Sequence, residues 1–285
     1  MTTHGRLAAA VVLPHGGLAV ERWCSPSERP LAAETRRACE EVARRVRAAE
    51  PEVVIVVTPH NVHVDGHMAV VTASRHAGAL EDSNRPVELE AANDRAVATQ
   101  VLNALHEADV PAVGVSFGSN DTELAEMPMD WGTLIPLLFL AGDDAEPPPT
   151  VLVSPARDLD VEAHVRAGRA LAAAAIGSGR TVALVASADH GHAHDRDGSF
   201  GFDAAAAEYD RRVVDALRSG RLRDLEDVPV ALADDAKADS LWQLLVLSGA
   251  LAGGEGWRGE LLSYEVPTYF GMACAVYLPL STDSA

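Results

Sequence analysis

The sequence predicts an α/β fold, in which a single domain has a central, mostly parallel mixed sheet flanked by helices. Short apolar runs alternate with amphipathic, helix-like segments along the 285 residues. The runs at 7–13, 52–58 and 181–187 have the length and composition of buried strands. A histidine follows each run within three residues. Because strand carboxyl ends in an open α/β sheet line one crevice where ligands bind, we expect the active site at these ends.

Hydrophobic periodicity predicts each element in turn. The run at 52–58 is almost continuously apolar, which indicates a strand covered on both faces. The segment 31–49 places its apolar residues on one side, which predicts an amphipathic helix. A polar loop at 82–86 and a proline-rich linker at 142–149 are interpreted as surface connections within one domain, 1–285. The other predicted strands are 68–73, 111–116, 150–154, 260–265 and 271–278, and the other predicted helices are 90–108, one beginning near Thr133, 160–177, 203–218 and 238–252.

Charge and composition exclude several classes of partner. A formal net charge of -19 and a pI near 4.8 oppose binding to nucleic acid or to anionic membranes. No apolar stretch reaches the roughly 20 residues needed to span a bilayer, and no signal-peptide pattern is evident. Cys24, Cys39 and Cys274 are scattered, which indicates neither a disulfide framework nor a zinc-thiolate site. We therefore expect a cytoplasmic protein with no nucleic-acid or membrane partner.

The histidines after the strands are the candidate functional residues. His15 follows the first run, His60 follows the second, and His190, His192 and His194 follow 181–187. Two imidazoles and one carboxylate form the facial triad that binds Fe(II) in non-haem oxygenases and leaves positions open for substrate and oxygen. An unbound histidine nearby could act as acid and base. The remaining histidines are interpreted as structural: His63, and at the surface His4, His67, His76, His106 and His164.

Six motifs in a fixed order carry a family resemblance over nearly the whole chain. They resemble class III extradiol ring-cleavage dioxygenases, the subunit-B-like superfamily of the catalytic subunit of protocatechuate 4,5-dioxygenase. The motifs are Pro14-His15, Thr58-Pro59-His60-Asn61, Met129-Asp130-Trp131-Gly132-Thr133-Leu134-Ile135-Pro136-Leu137, Ala186-Ser187-Ala188-Asp189-His190-Gly191-His192, Leu247-Ser248-Gly249-Ala250-Leu251 and Leu262-Ser263-Tyr264-Glu265.

This resemblance implies roles for particular residues. His15 and His60 would ligate the metal, which is Fe(II), with Zn or Mn as alternatives. His192 falls on the family's catalytic histidine. The resemblance also implies a small aromatic substrate, O2 as co-substrate and a homo-oligomer such as a dimer. Asn61 is expected to contact the substrate, whereas His190 and His194 are additional histidines for which substrate binding and simple solvation both remain open.

Two positions depart from the family pattern. Trp131 stands where the family usually has a substrate-binding histidine; an indole can stack on a ring or donate one hydrogen bond, but it cannot exchange protons. We expect Trp131 to bind the substrate and to change the pocket. The family's third metal ligand is a glutamate, which the corresponding region, 234–242, lacks. Asp239 is the best replacement and Asp235 is the reserve, unless Asp239 merely caps the following helix.

Three hypotheses for function follow. The first is a non-haem Fe(II) extradiol dioxygenase that opens a catechol-like or hydroxylated aromatic ring with O2, next to rather than between its two hydroxyls. The second keeps the fold but changes the chemistry to a zinc-binding or metal-dependent hydrolase. The third is a non-catalytic metal-binding or interaction protein similar to the Memo group.

Overall fold

The computed structural model describes residues 5–80, 87–142 and 146–280. The polar loop predicted at 82–86, part of the predicted linker and His4 lie outside these ranges. The strands are β1 (Arg6–Leu13), β2 (Val53–Val57), β3 (Met68–Val71), β4 (Arg75–Leu80), β5 (Val87–Ala92), β6 (Ala112–Val115), β7 (Glu126–Pro128), β8 (Thr150–Ser154), β9 (Thr181–Ser187), β10 (Trp257–Glu265) and β11 (Met272–Pro279). The α-helices are α1 (Ala33–Ala48), α2 (Arg95–Glu107), α3 (Trp131–Ala141), α4 (Val161–Gly177), α5 (Ala204–Ser219), α6 (Val230–Asp235) and α7 (Leu241–Ala250).

Eight strands form one mixed sheet in the order β10-β11-β1-β9-β2-β8-β3-β6. Strands β1, β9, β2 and β8 are parallel neighbours, while β11 and β3 run antiparallel to the strands beside them in this central group. This arrangement confirms the predicted fold class. Leu13 pairs with Ser187, and Val57 pairs with Ala186, so the carboxyl ends of β1, β9 and β2 lie side by side. The loops that carry the predicted histidines therefore emerge together.

A hydrophobic core covers each face of the large sheet. Ala10 and Val12 of β1 belong to the core packed by α2, α4, α5 and α7. Ala9, Val11 and Leu13 face the opposite core, which α1 and α3 complete. All five residues of β2 are buried. Burial on both faces is the reason that these strands are continuously apolar in sequence.

A second, three-stranded sheet in the order β5-β4-β7 was not predicted. The helix predicted over 90–108 was wrong at its start, because 87–92 pairs with β4 and α2 begins only at Arg95. Asp94 caps α2 by accepting the backbone N–H of Val97 at 3.0 Å. The helix predicted over 238–252 is also shorter, since α7 begins at Leu241 and the separate helix α6 precedes it.

Two histidines assigned to the surface are instead fully buried. His76 lies on β4 and its Nε2 donates to the carbonyl of Thr150 at 2.8 Å. The ring of His164 packs against Trp242 with 4.8 Å between centroids. Their surface assignment was wrong because His76 lies within β4 and His164 within α4, each at a position that faces the protein interior. Within the described ranges, no helix combines the length and the apolar character needed to cross a membrane.

Candidate metal centre

Three side chains that are distant in sequence converge at the carboxyl ends of β1 and β2. The Nε2 atoms of His15 and His60 lie 3.0 Å apart. Oδ2 of Asp239 lies 3.3 Å from the first nitrogen and 3.2 Å from the second. His15 and Asp239 are buried, and His60 is partly exposed. Of the described residues, these three form a group of histidine and acid side chains that could hold a metal ion.

Hydrogen bonding fixes the orientation of the His15 ring. Its Nδ1 lies 2.9 Å from Oγ of Ser187, and that hydroxyl donates its only proton to the carbonyl of Gly132 at 2.5 Å. Nδ1 must therefore carry the proton in the His15–Ser187 bond. In the neutral ring this leaves the lone pair on Nε2, the atom that faces His60 and Asp239. Such an outer hydrogen bond is typical of metal-binding histidines.

Asp130 holds the loop that carries His60. The carboxylate accepts the hydroxyl proton of Thr58 at 2.7 Å and an amide proton of Asn61 at 3.1 Å, so it fixes the residues on both sides of Pro59-His60. The same carboxylate caps α3. Gly132 allows this close approach, because a Cβ there would lie 2.6 Å from Oγ1 of Thr58. Asn61 was expected to contact substrate, but its amide is engaged with Asp130 and it is not among the described residues that line the cavity.

The Asp239 carboxylate points to the imidazoles and not to a helix terminus. Its Oδ1 accepts the backbone N–H of Asp189 at 3.2 Å, and its Oδ2 faces both rings. Ser240, not Asp239, occupies the N-cap position of α7, so the capping alternative is wrong. Asp235 ends α6 with an exposed side chain and does not belong to the three-residue group.

The charges around this group stabilise a cation. Burial alone would lower the pKa of His15, but the carboxylates of Asp189 and Asp239 outweigh it and raise the pKa to about 9. Burial raises the pKa of Asp189 to about 6, against the opposing effect of His15. Burial acts in the same direction on Asp239, yet His15 and His60 outweigh it and hold its pKa far below the usual range. A divalent cation would take the place of the proton on Nε2 of His15.

The donor set and its spacing fit such a cation. Two ligand atoms bound at about 2.1 Å and at right angles to each other lie about 3.0 Å apart. The three distances between the ligand atoms of His15, His60 and Asp239 are 3.0, 3.2 and 3.3 Å. Two imidazoles with one carboxylate suit Fe(II) in a facial triad, and zinc also accepts nitrogen and carboxylate ligands.

The three side chains line a cavity of about 920 Å³. This volume lies within the range of small-molecule sites. Trp131 is 48% exposed, and its ring lies 4.4 Å from that of His60. His192 also lines the cavity, with its ring stacked on Phe270 at 5.2 Å and 14°. The aromatic residues of the wall are Trp23, Trp131, Phe200, Tyr269 and Phe270.

Comparison with known proteins decides the family. The family model described as the catalytic LigB subunit of aromatic ring-opening dioxygenase matches residues 9–276. The chain belongs to this LigB family. The match confirms the resemblance predicted from the six motifs.

One curated relative and one solved structure that resemble the chain carry no established activity in their names. Protein CA_C1420 of Clostridium acetobutylicum is 23% identical over 255 residues. This alignment includes 89% of the chain but 54% of that protein, so the chain spans about half the length of this curated relative. The crystal structure of the uncharacterized protein JW3007 from Escherichia coli K12 covers 94% of the chain and 99% of its own, with a TM-score of 0.57. At 18% identity, this likeness shows the fold alone.

The two additional histidines, His190 and His194, are not among the described residues that line the cavity. His190 is fully buried, and its Nδ1 hydrogen-bonds with the hydroxyl of Ser240 at 2.9 Å. His194 places Nε2 2.8 Å from Oδ2 of Asp210. The solvation alternative is wrong for His190, which is fully buried. His194 is partly exposed, and its ring bonds to the buried carboxylate of Asp210. Both histidines therefore hydrogen-bond to protein groups, Ser240 and Asp210, and neither is among the described residues that line this cavity.

Sequence analysis missed the acids that support the site. Asp189 accepts the backbone N–H of His15 at 3.1 Å and lies 3.5 Å from its Nε2. Its place between β9 and His192 was a signal, because the residues at a strand end face the crevice. Asp210 is buried on α5 and accepts the backbone N–H of Gly191 at 2.7 Å, directly before His192. No local sequence pattern distinguishes Asp210 from other helix aspartates.

Proposed function

We propose that the chain is a non-haem Fe(II)-dependent extradiol dioxygenase that opens a catechol-like or hydroxylated aromatic ring with O2. One observation carries this proposal. Two imidazoles and a carboxylate meet within 3.3 Å of one another in a cavity with aromatic walls. That donor set is typical of oxygen-using Fe(II) sites, and the LigB family contains ring-opening dioxygenases.

Bound Fe(II) would orient the substrate oxygens and O2 and exchange electrons with them. His15, His60 and Asp239 would hold the ion. The indole of Trp131 is placed beside His60 to stack on a flat substrate and to exclude water. His192 would accept a proton from a substrate hydroxyl and return it later, because an imidazole can exchange protons near neutral pH. Stacking on Phe270 holds the His192 ring in place.

Anaerobic reconstitution tests the proposal. The purified protein is loaded with Fe(II) without oxygen, mixed with a panel of catechols and then exposed to air. The expected result is a yellow ring-fission product with consumption of one O2 per ring. The His192→Ala variant, loaded in parallel, controls for autoxidation by free iron. Absence of product with every substrate in a fully iron-loaded protein would contradict the proposal.

Two observations favour a second candidate, a zinc-binding or metal-dependent hydrolase of the same fold. Trp131 cannot exchange protons as the family histidine can, and Asp239 replaces the family glutamate. Stoichiometric zinc in the purified protein, with hydrolysis of a phenyl ester and no ring opening, would support it. Stoichiometric metal without either reaction would support the Memo-like binding protein.

The expected partners and location remain proposals. We propose a small aromatic substrate and O2 as the partners, and a homodimer in solution, which sedimentation velocity tests directly. The three cysteines are free thiols, which supports a reducing compartment such as the cytoplasm.

A further inference from the structure

Lys237 is the only lysine of the chain, although lysine and arginine together number 23. It lines the cavity two residues before Asp239, and Arg157 lines the same cavity three residues after β8. Both side chains are exposed. Many arginines elsewhere pair with acids, as Arg45 does with Glu260 at 2.6 Å. Within the described ranges, no carboxylate lies within ion-pair distance of Lys237 or Arg157.

The backbone at Lys237 disfavours any side chain. Its φ is +55°, in the left-handed region that glycine adopts without steric cost. The residue directly follows the C-cap of α6, where its N–H donates to Asp234 at 3.1 Å and that of Ala238 donates to Ala233 at 2.9 Å. Glycine is the usual residue at this position of such a helix end. Local folding therefore favours glycine over lysine here, as it does at the other non-glycine positions with positive φ, such as Glu50 and Asp109.

Other groups do not account for this cation. A positive charge near the C-terminus of a helix is stabilising, but α6 has only six residues. An arginine at this position would provide the same interaction. The carboxylates of Glu28 and Asp234 also line the cavity. Glu28 accepts the backbone N–H of Ser25 at 2.8 Å, and within the described ranges Asp234 forms no ion pair with Lys237. Asp189 and Asp239 are engaged with His15. Lys237 and Arg157 remain available to a ligand.

We propose that Lys237 and Arg157 form an anion-binding subsite of this cavity, with Lys237 as its specificity-determining residue. The ligand class is an aromatic acid, in which the ring lies among the aromatic walls and a carboxylate contacts the ammonium and guanidinium groups. Charge-assisted hydrogen bonds to a carboxylate are stronger than neutral ones, so the subsite selects acids over neutral phenols. The aromatic part of this inference rests on the proposed function, whereas the anion preference is independent of turnover.

The unique lysine allows a direct test on the full chain without turnover. An amine-reactive succinimidyl ester labels one side chain, Lys237, and mass spectrometry of its peptide gives the labelling rate. A lysine-containing peptide added to the mixture is the reference. We expect 3,4-dihydroxybenzoate to slow labelling of Lys237 severalfold, with the reference unchanged, and the neutral 3,4-dihydroxybenzamide to have little effect. Equal rates with acid, amide and buffer would overturn the proposal.

Substitutions separate recognition from a structural role. Lys237→Met and Lys237→Gly should each reduce the preference for the acid over the amide by about tenfold, as measured by calorimetric binding, whereas Lys237→Arg should retain most of it. Lys237→Gly should also unfold at a higher temperature, because it relieves the left-handed backbone. The exposed Arg169 of α4 provides a matched control, Arg169→Met, with no change expected in either property.

The outcomes distinguish this proposal from the proposed function. If catechols are never opened but the acid alone still protects Lys237 from labelling, the anion-binding subsite is supported and the proposed dioxygenase function is wrong. If rings are opened with equal KM for acids and amides, the proposed dioxygenase function is supported and the anion-binding subsite is wrong. A lower unfolding temperature in both Lys237→Met and Lys237→Gly, with the acid preference intact, would assign the lysine to stability instead.

Discussion

Nε2 of His15 lies 3.0 Å from Nε2 of His60, although 45 residues separate them in the chain. Two neutral nitrogens that both present lone pairs repel each other at this distance, whereas a proton or metal ion between them and Asp239 removes the repulsion. Each ring is held independently, His15 through Ser187 and His60 through the loop that Asp130 anchors. The scaffold therefore keeps the ligand atoms close, as preorganised metal sites require.

Removing either ring should remove the metal, whereas removing the neighbouring histidine should not. We expect His15→Ala and His60→Ala to lose bound metal and activity together, because each removes one of three ligands. His192→Ala should retain wild-type metal content but lose turnover by about 100-fold or more, the usual contribution of acid-base catalysis. Elemental analysis of purified protein and oxygen consumption measure the two properties.

A surface histidine provides the control for these variants. His63 is exposed and pairs with Asp65 near the same loop, so His63→Ala should leave both properties unchanged. Equal metal content in His15→Ala and the wild type would remove His15 from the ligand set.

The carboxylate should matter at position 239 and not at position 235. Asp239→Asn should weaken metal binding by tenfold or more, because an amide is a neutral and poorer ligand for a divalent ion. Asp239→Glu restores the family's usual ligand and should keep measurable affinity, although its additional methylene displaces the carboxylate. Competition with a fluorescent chelator gives the affinities, and Asp235→Asn is the matched control. If Asp235→Asn loses the metal while Asp239→Asn retains it, the assignment is wrong.

Asp210 should act as a positioning residue for His192. Its carboxylate accepts three protons, from Gly191 N–H at 2.7 Å, His194 at 2.8 Å and the Tyr264 hydroxyl at 2.6 Å. An amide in its place cannot accept all three, and a lost buried hydrogen bond costs about 1–3 kcal/mol. We expect Asp210→Asn to lower stability by about this amount.

The readout that separates positioning from stability is kinetic. With metal content unchanged, Asp210→Asn should reduce kcat more than KM, because the backbone before His192 loses its anchor. The exposed Asp215 lies on the same helix, so Asp215→Asn should change neither parameter. A normal kcat in stable, metal-loaded Asp210→Asn would show that Asp210 serves the fold alone.

The large sheet and the convergence of His15, His60 and Asp239 were predictable from local signals and from the order of the motifs. Continuous apolar runs mark strands buried on both faces, and such strands end at one edge of the sheet. The motif order then identified Asp239 even though the family glutamate is absent. These features depend on residues that are adjacent in sequence to the elements they define.

The parts that were missed depend on contacts between distant segments. Residues 87–92 contain glutamate, leucine and alanine, which favour helix, yet backbone pairing with β4 makes them a strand. His190, His192 and His194 look equivalent in sequence, but only His192 is among the described residues lining the cavity. Ser240 and Asp210, 50 and 16 residues away from their partners, bind the other two.

His76 should make the fold sensitive to acid. It is fully buried, its Nδ1 has no hydrogen-bond partner within the described ranges, and burial lowers its pKa from 6.5 to about 4. Above pH 6.5 the ring is neutral in both the folded and unfolded states, so it contributes nothing to pH dependence. Between pH 6.5 and about 4, the unfolded chain binds a proton that the folded chain does not. Stability therefore falls as pH falls through this window.

The size of the effect follows from the shift in pKa. Lowering the pKa of His76 from 6.5 to about 4 corresponds to about 3 kcal/mol of unfolding free energy, most of which is lost by pH 4.5. Urea unfolding at pH 7 and pH 4.5 should show a drop in wild-type stability that is about 2–3 kcal/mol larger than in His76→Gln, which cannot titrate. The exposed His63, changed to glutamine, is the matched control and should retain the wild-type drop. Identical drops in wild type and His76→Gln would show that the buried ring takes up its proton without unfolding.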